Sequence, residues 1–386
     1  MKKVILIISL FVINIGIVSA IEINSKSAIM YNMNDDSIIY KKEEKEQLPI
    51  ASLTKIVTAI TVLDNVETLD KEVNVTSVML ENLEGYAKVG LKVGDKLTLE
   101  ELLYALMLPS AGDAAQALAI STSGSINDFS ILMNDEVKKI GVSNSKFDNP
   151  IGMDSENNYS TAYDMAIILK YSLKNDTFKK IFETNEYYIE SINKKINKTL
   201  VSTSKNYNID FSVINGAKTG FTYEAGLCLA STSNINGVDY LLVTLASDTN
   251  YPYHIQDALD LYEYYSSNYS YKTILKNNQF IYEIPIKGSR EKVYKIYSKE
   301  TKDMYLLNSV DLSKITYEYK GIDKITKKIK QGTNLGKVNV IYNNEVLYTF
   351  DVYLDKKIKY YNYALYIIIG LSILVIFVVY KIRHKK

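Results

Sequence analysis

The chain has 386 residues, with 45 Lys and Arg against 44 Asp and Glu, for a net charge of +1. No long block of one sign occurs outside the last residues, so nucleic-acid binding is not indicated. One cysteine, Cys228, rules out an intrachain disulfide. Two histidines, His254 and His384, are too few for a His/Cys zinc site.

Residues 1–20 begin Met-Lys-Lys, continue through an apolar stretch and end Val18-Ser19-Ala20. A basic start, an apolar core and small residues at the last and third-last positions predict a secretory signal cut after Ala20. Next, Ala28–Tyr31 and Ile38–Tyr40 flank a polar turn, Asn32 to Asp36, and predict a hairpin. "PIASLTKIVTAI", Pro49 to Ile60, predicts an apolar helix opened by Ser52, with Lys55 one turn later. Thr98-x-x-Glu101 is a capping box ahead of a second helix. "GDAAQALAIS" predicts a third, with Asp113 in the first turn, where a carboxylate suits the helix dipole. Thr161-x-x-Asp164 opens a fourth.

From Val213 the pattern changes. "GAKTGFT", Gly216 to Thr222, and the runs "GLCLASTS" and "DYLLVTLAS" predict strands, the last two joined at Asn234–Gly237. "IQDALDLYEYYSS" predicts a closing helix. Hairpin, helices, hairpin and helix together imply an antiparallel sheet covered by helices, its N- and C-terminal parts sharing one sheet. Residues 272–358 alternate apolar and polar, as in "KVNVIYNNEVLYTFDVYL", and predict a small all-β domain. Residues 363–380 are uncharged and apolar for about the ~18–20 residues that span a bilayer. The tail 381–386, "KIRHKK", is of the kind retained on the cytoplasmic side. The segment from Ile21 to about Tyr360 is therefore expected to be exported and tethered by its C-terminus.

Ser52 and Lys55 share a helix face. A serine hydroxyl needs a base to act as a nucleophile. A Ser-His-Asp triad would have to use His254, so lysine is the natural candidate. A lysine serves only when neutral, and burial lowers its reference pKa of ~10.4 by up to ~3–5 units. Either Lys55 is buried so that it loses its proton, or it stays charged and only orients Ser52. The spacing alone carries little: it recurs at Ser143/Lys146, Ser191/Lys194, Ser202/Lys205 and Ser289/Lys292, all in polar stretches. Two further elements add weight. Lys218-Thr219 offers a cation and a hydroxyl to an anion, and Gly220 lets a ligand approach the strand. "LPSAGDAA" places Ser110 between two helices. Ser-x-x-Lys, a Ser-x-Asn-type element and Lys-Thr-Gly, in this order, mark penicillin-interacting serine enzymes.

On these residues the chain resembles the serine D-alanyl-D-alanine carboxypeptidases, the low-molecular-mass penicillin-binding proteins. "VGLKVGDKLTLEELLYALMLPSAGDAA", "DNPIGMDSENNYSTAYDMA" and "INGAKTGFTYEAG" match further blocks of that family. The resemblance implies a β-lactamase/transpeptidase-like α+β catalytic domain over residues 21–271, then the β domain and the anchor. It implies no cofactor and no metal. Its substrate would be the stem pentapeptide of peptidoglycan, with β-lactams as covalent inhibitors, on the extracytoplasmic face of the membrane. It also assigns roles: Ser52 as nucleophile, Lys55 as base, Ser110 in proton relay to the leaving D-alanine. Lys218, Thr219 and Gly220 would bind substrate, and the N–H groups of Ser52 and Phe221 would form the oxyanion hole. Two positions depart from the family: Gly112 stands where Asn is usual, and Phe221 where some relatives carry His.

A β-lactamase of the same fold would need a deacylating base such as a Glu-x-x-x-Asn loop, absent before Lys218. A transpeptidase would be expected to carry a large extra domain. From another class, a catalytically weak peptidoglycan-binding protein is the reading that Gly112 keeps open.

Overall fold

The structure, a computed structural model, describes residues 21–384. The expected signal, residues 1–20, lies outside the described residues. The chain folds as two units divided between Ser267 and Asn268.

The first unit is built on a five-stranded antiparallel sheet, in the order Ser37–Lys42, Ser27–Asn32, Val238–Ser247, Gly226–Ile235, Gly216–Thr222. The N-terminal hairpin thus joins the C-terminal one, with Ile29 opposite Val243 and Tyr31 opposite Leu241. The Ser27–Asn32 strand is buried at every residue, because both faces of the sheet are covered. Ile29, Tyr31, Leu241 and Val243 enter the main core with the helices on one side. On the other side the helix Tyr253–Asn268 closes the unit. There the Ser231 and Tyr262 hydroxyls meet at 2.9 Å, and Tyr265 donates to the Ile39 carbonyl at 2.5 Å.

Eight helices complete the unit among the described residues: α1 (Thr54–Asn65), α2 (Leu99–Met107), α3 (Gly112–Ser123), α4 (Ile126–Ile140), α5 (Ala162–Ser172), α6 (Asp176–Glu183), α7 (Thr199–Tyr207) and α8 (Tyr253–Asn268). The capping box forms: Thr98 accepts from the Glu101 N–H at 3.1 Å, and Glu101 accepts from the Thr98 N–H at 3.0 Å. Thr161 accepts from the Asp164 N–H, as its spacing predicts. The start of α1 differs from expectation. Ser52 lies in a 3-10 turn, Ala51–Leu53, and the α-helix begins at Thr54. Ala51 has φ +46°, so the chain turns sharply before the helix. Sequence periodicity does not report such a bend. Asp113 also does more than suit a dipole: its oxygens accept from the N–H groups of Val89, Gly90 and Leu91, tying a preceding loop to α3.

The second unit is all β until its last helix. Asn334–Tyr342 and Glu345–Tyr353 form the expected hairpin, with Asn343 and Asn344 both at positive φ in the turn, where Asn is among the few residues at ease. Ile284, Ile325, Leu335, Val338 and Val352 form its core. Tyr363–Arg383 is a single exposed helix, long and apolar enough by length and composition to cross a membrane.

Candidate active site

The site lies in a cleft of about 460 Å³ in the first unit. Its walls include Ser52 and Lys55, Ser110, Thr219, Gly220 and Phe221, brought from three separate segments.

Lys55 is 1 % exposed, on the apolar face of α1 among Ile56, Val57 and Ala59. Its Nζ lies 3.0 Å from Ser52 Oγ and donates to the Ile151 carbonyl at 2.6 Å. Burial lowers its pKa from the usual lysine value to about 7, against the opposing pull of the Asp113 carboxylate. Of the two alternatives for Lys55, this environment favours the amine that can shed its proton. The other recurrences of the spacing lack this setting: Ser191, for instance, gives its hydroxyl to Glu101.

Ser110 occupies the turn between α2 and α3 at φ +63°. Non-glycine residues seldom adopt this region, and such strain costs of order 1–3 kcal/mol and collects at functional sites. The turn is held by the Ala111 N–H to the Ala105 carbonyl (3.1 Å) and by Thr199, whose N–H and hydroxyl both donate to the Leu108 carbonyl. Across the cleft, Lys218 Nζ donates to Ser110 Oγ at 2.9 Å and to the Thr219 carbonyl at 2.8 Å. Lys218 is also 1 % exposed. Burial first, then the cations of Lys55 and Lys198, hold its pKa well below the ordinary lysine range.

Gly220 is required by contact. A Cβ there would stand 3.0 Å from the Ile50 carbonyl oxygen and 3.1 Å from the Ser52 nitrogen. The strand therefore runs directly against the Ser52 turn. Phe221 follows with its ring 47 % exposed, edge-on to Tyr223. Gly112 opens α3 against a close wall: a Cβ would meet Leu83 Cδ2 at 3.2 Å and the Ala87 carbonyl oxygen at 3.4 Å.

No Ser-His-Asp triad forms among the described residues. His254 lines the cleft, but its Nδ1 is buried without a hydrogen-bond partner. Asp257, which would have to orient it, spends its two oxygens on Asn24 and Ser25. Burial lowers the His254 pKa to about 4. Cys228 is buried, its thiol pushed up to about 12 by burial, and is unsuited to nucleophilic work. No metal-binding cluster occurs among the described residues.

Sequence reasoning missed several parts of the site. Lys198, buried, donates to the Phe182 carbonyl and has its pKa lowered to about 7 by burial. Thr199, Thr203 and Tyr207 present one face of α7 to the cleft, joined by Tyr86 and Tyr251. Helical spacing in α7 carries no chemical signature of its own. The Ile151 carbonyl is invisible to side-chain motifs, although Asn149-Pro150-x-Gly152 is a recognisable turn signal.

A family profile described as D-alanyl-D-alanine carboxypeptidase matches residues 15–249, and one described as the C-terminal domain of penicillin-binding protein 5 matches residues 269–360. The D-alanyl-D-alanine carboxypeptidase DacF of Bacillus subtilis is 30% identical over 329 residues, covering 84% of this chain and 83% of the relative. The D-alanyl-D-alanine carboxypeptidase of Streptomyces sp. strain K15 is 33% identical over 248 residues, 61% of this chain and 85% of the relative. Among solved structures, the D-alanyl-D-alanine carboxypeptidase DacD of Francisella tularensis superposes with a TM-score of 0.72 at 19% identity, covering 88% of this chain and 95% of that one. With a serine and a buried amine 3.0 Å apart in the cleft, and with matches across both units, the chain belongs to the D-alanyl-D-alanine carboxypeptidase family and is a serine-type D,D-peptidase of peptidoglycan.

Proposed function

We propose that Ser52 is the nucleophile that removes the terminal D-alanine of a stem pentapeptide, with Lys55 as its base. Neutral Lys55 accepts the hydroxyl proton as Ser52 Oγ attacks the carbonyl carbon of the penultimate D-alanine. The oxyanion forms against the N–H groups of Ser52 and Phe221, each such donor being worth ~2.7–4 kcal/mol in comparable sites. Collapse breaks the C–N bond. The leaving amine takes the proton that Lys55 accepted, relayed through the Ser110 hydroxyl, and departs as D-alanine, leaving Lys55 neutral again. Water then attacks the ester, and the shortened peptide departs. Lys218 and Thr219 hold the terminal carboxylate, with Gly220 keeping the strand close to Ser52. The observation that carries this reading is the Lys55 amine, sealed from water and 3.0 Å from the Ser52 hydroxyl. A β-lactam, whose strained amide occupies the same position, acylates Ser52 in place of the peptide.

Residues 21–271 are assigned to catalysis and residues 272–358 to spacing the catalytic unit from the membrane. Residues 1–20 direct export, residues 363–380 anchor the protein, and residues 381–386 remain on the cytoplasmic side. The apolar helix Tyr363–Arg383 and its basic end support the anchor. The deciding experiment is mass spectrometry of the intact protein after penicillin, with the adduct mapped. A single adduct on Ser52, lost in Ser52→Ala together with D-alanine release from a pentapeptide, is the expected result. An adduct elsewhere, or none, overturns it.

A further inference from the structure

The Lys55 amine has to be held as well as buried. A neutral amine acts as base only with its lone pair aimed at the Ser52 hydroxyl, so an N–H must be fixed elsewhere. The acceptor that fixes it is the Ile151 carbonyl, at 2.6 Å. Gly112, at the head of α3, brings no side-chain atom that could share this task.

The carbonyl belongs to a loop whose shape is set by one side chain. Asn149 Oδ1 accepts from three successive N–H groups: Ile151 at 3.2 Å, Gly152 at 2.8 Å and Met153 at 3.0 Å. Its Nδ2 donates back to the Met153 carbonyl at 3.2 Å and to Asp148 at 2.8 Å. All of its amide atoms are thus spent on curling the chain around Ile151. Asx side chains close turns in this way, here with Pro150 restricting φ and Gly152 at φ +90°. The loop also lies flat on the nucleophile turn: a Cβ on Gly152 would stand 2.0 Å from the Ala51 carbonyl oxygen. A second tether runs to α1, where the Thr58 hydroxyl donates to the Pro150 carbonyl at 2.7 Å.

We propose that Asn149 is a positioning residue for the acylation step, acting through the Ile151 carbonyl to orient the Lys55 amine toward Ser52. This rests on the reading of Lys55 as base. The carbonyl also accepts from the ammonium form, so its withdrawal removes a hydrogen bond that favours the charged state. The titratable groups facing Lys55 are Asp113 from α3 and Lys218 from the Gly216–Thr222 strand. Neither is altered by a change at Asn149.

The test is the rate of acylation by a fluorescent penicillin against pH, in the full-length protein, with thermal melting alongside. Asn149→Ala is expected to lower the plateau by about tenfold to a hundredfold, part of the ~10²–10⁴ that a positioned general base supplies. Its acid inflection is expected at lower pH. Asn149→Asp keeps an oxygen for the three N–H groups but turns a second oxygen toward Asp148 and the Met153 carbonyl, where Nδ2 donates, so it is expected to restore only part of the rate. Thr58→Val, which cuts only the second tether, is expected to move the profile the same way by less. A folded Asn149→Ala with an unchanged plateau and inflection overturns the proposal. If that variant fails to fold, an unmoved profile in Thr58→Val overturns it. Failure of the underlying reading looks different: the unaltered protein would then lack a Ser52 adduct or an acid inflection altogether.

Discussion

The two units treat charge in opposite ways. The first buries Lys55, Lys198, Lys218, Asp113, Asp164 and Asp257, all at 3 % exposure or less. In the second, the buried polar side chains among the described residues are the neutral Ser289 and Ser298. Its ion pairs, such as Lys356 with Glu291 and Lys295 with Glu283, lie in solvent. Burying a charge is costly unless it is paired or gives up its proton. The unit that bears this cost is the one that holds the candidate site. Positive φ at Ala51 and Ser110, flanking the cleft, adds backbone strain at the same place.

That contrast can be broken by experiment. Ser52→Ala and Lys55→Met each remove half of the proposed reacting pair. Both are expected to lower D-alanine release by about a thousandfold or more, since members of such a unit fail together. Pentapeptide hydrolysis assayed as free D-alanine decides it, and a residual rate within tenfold of the unaltered protein would dissolve the distinction. Next in size is the effect of pH. As the proposed base, Lys55 works when neutral, and burial places its pKa at about 7. Acylation is expected to rise as pH rises through about 7, and a profile flat from pH 5 to 9 would contradict a titrating lysine. The same shift touches stability. A lysine with a folded pKa of about 7 and an unfolded value near 10.4 binds fewer protons when folded in the interval between. Stability gained from this group should therefore increase with pH from about 7 to about 10.4, read as midpoints of urea unfolding.

Smaller effects sharpen the comparison from the other side. Ile284→Ala empties part of the second unit's core and is expected to cost about 2–5 kcal/mol of that unit's stability. Penicillin acylation by the first unit should stay as it was, so calorimetry and labelling should part company. Smallest is Lys356→Ala. It breaks an exposed pair at 2.6 Å and should change stability by less than about 1 kcal/mol, with no effect on labelling.

Much of the fold was legible because its signals are local. The hairpins, the caps at Thr98 and Thr161 and the Gly216–Thr222 strand depend on residues a few positions apart. Two details were not. Local spacing starts α1 at Ser52, but the 3-10 turn around it packs against Gly152 and Gly220, residues far along the chain. Sequence position makes Asp113 a helix-end carboxylate, whereas its partners sit more than twenty residues earlier. Lys198, Tyr251 and the Ile151 carbonyl were missed for the same reason.

The sequence by itself determined which side chains are present to react: a serine one turn from a lysine on an apolar helix, and Lys-Thr-Gly on a strand. Those choices are written in residue type and short spacing. Tertiary structure decided whether they become a site. It brought Lys218 to Ser110 across 108 positions and the Ile151 carbonyl to Lys55 across 96. It also stripped water from both amines. A lysine's pKa answers to its solvent and neighbours, and those exist only once the chain has closed around it.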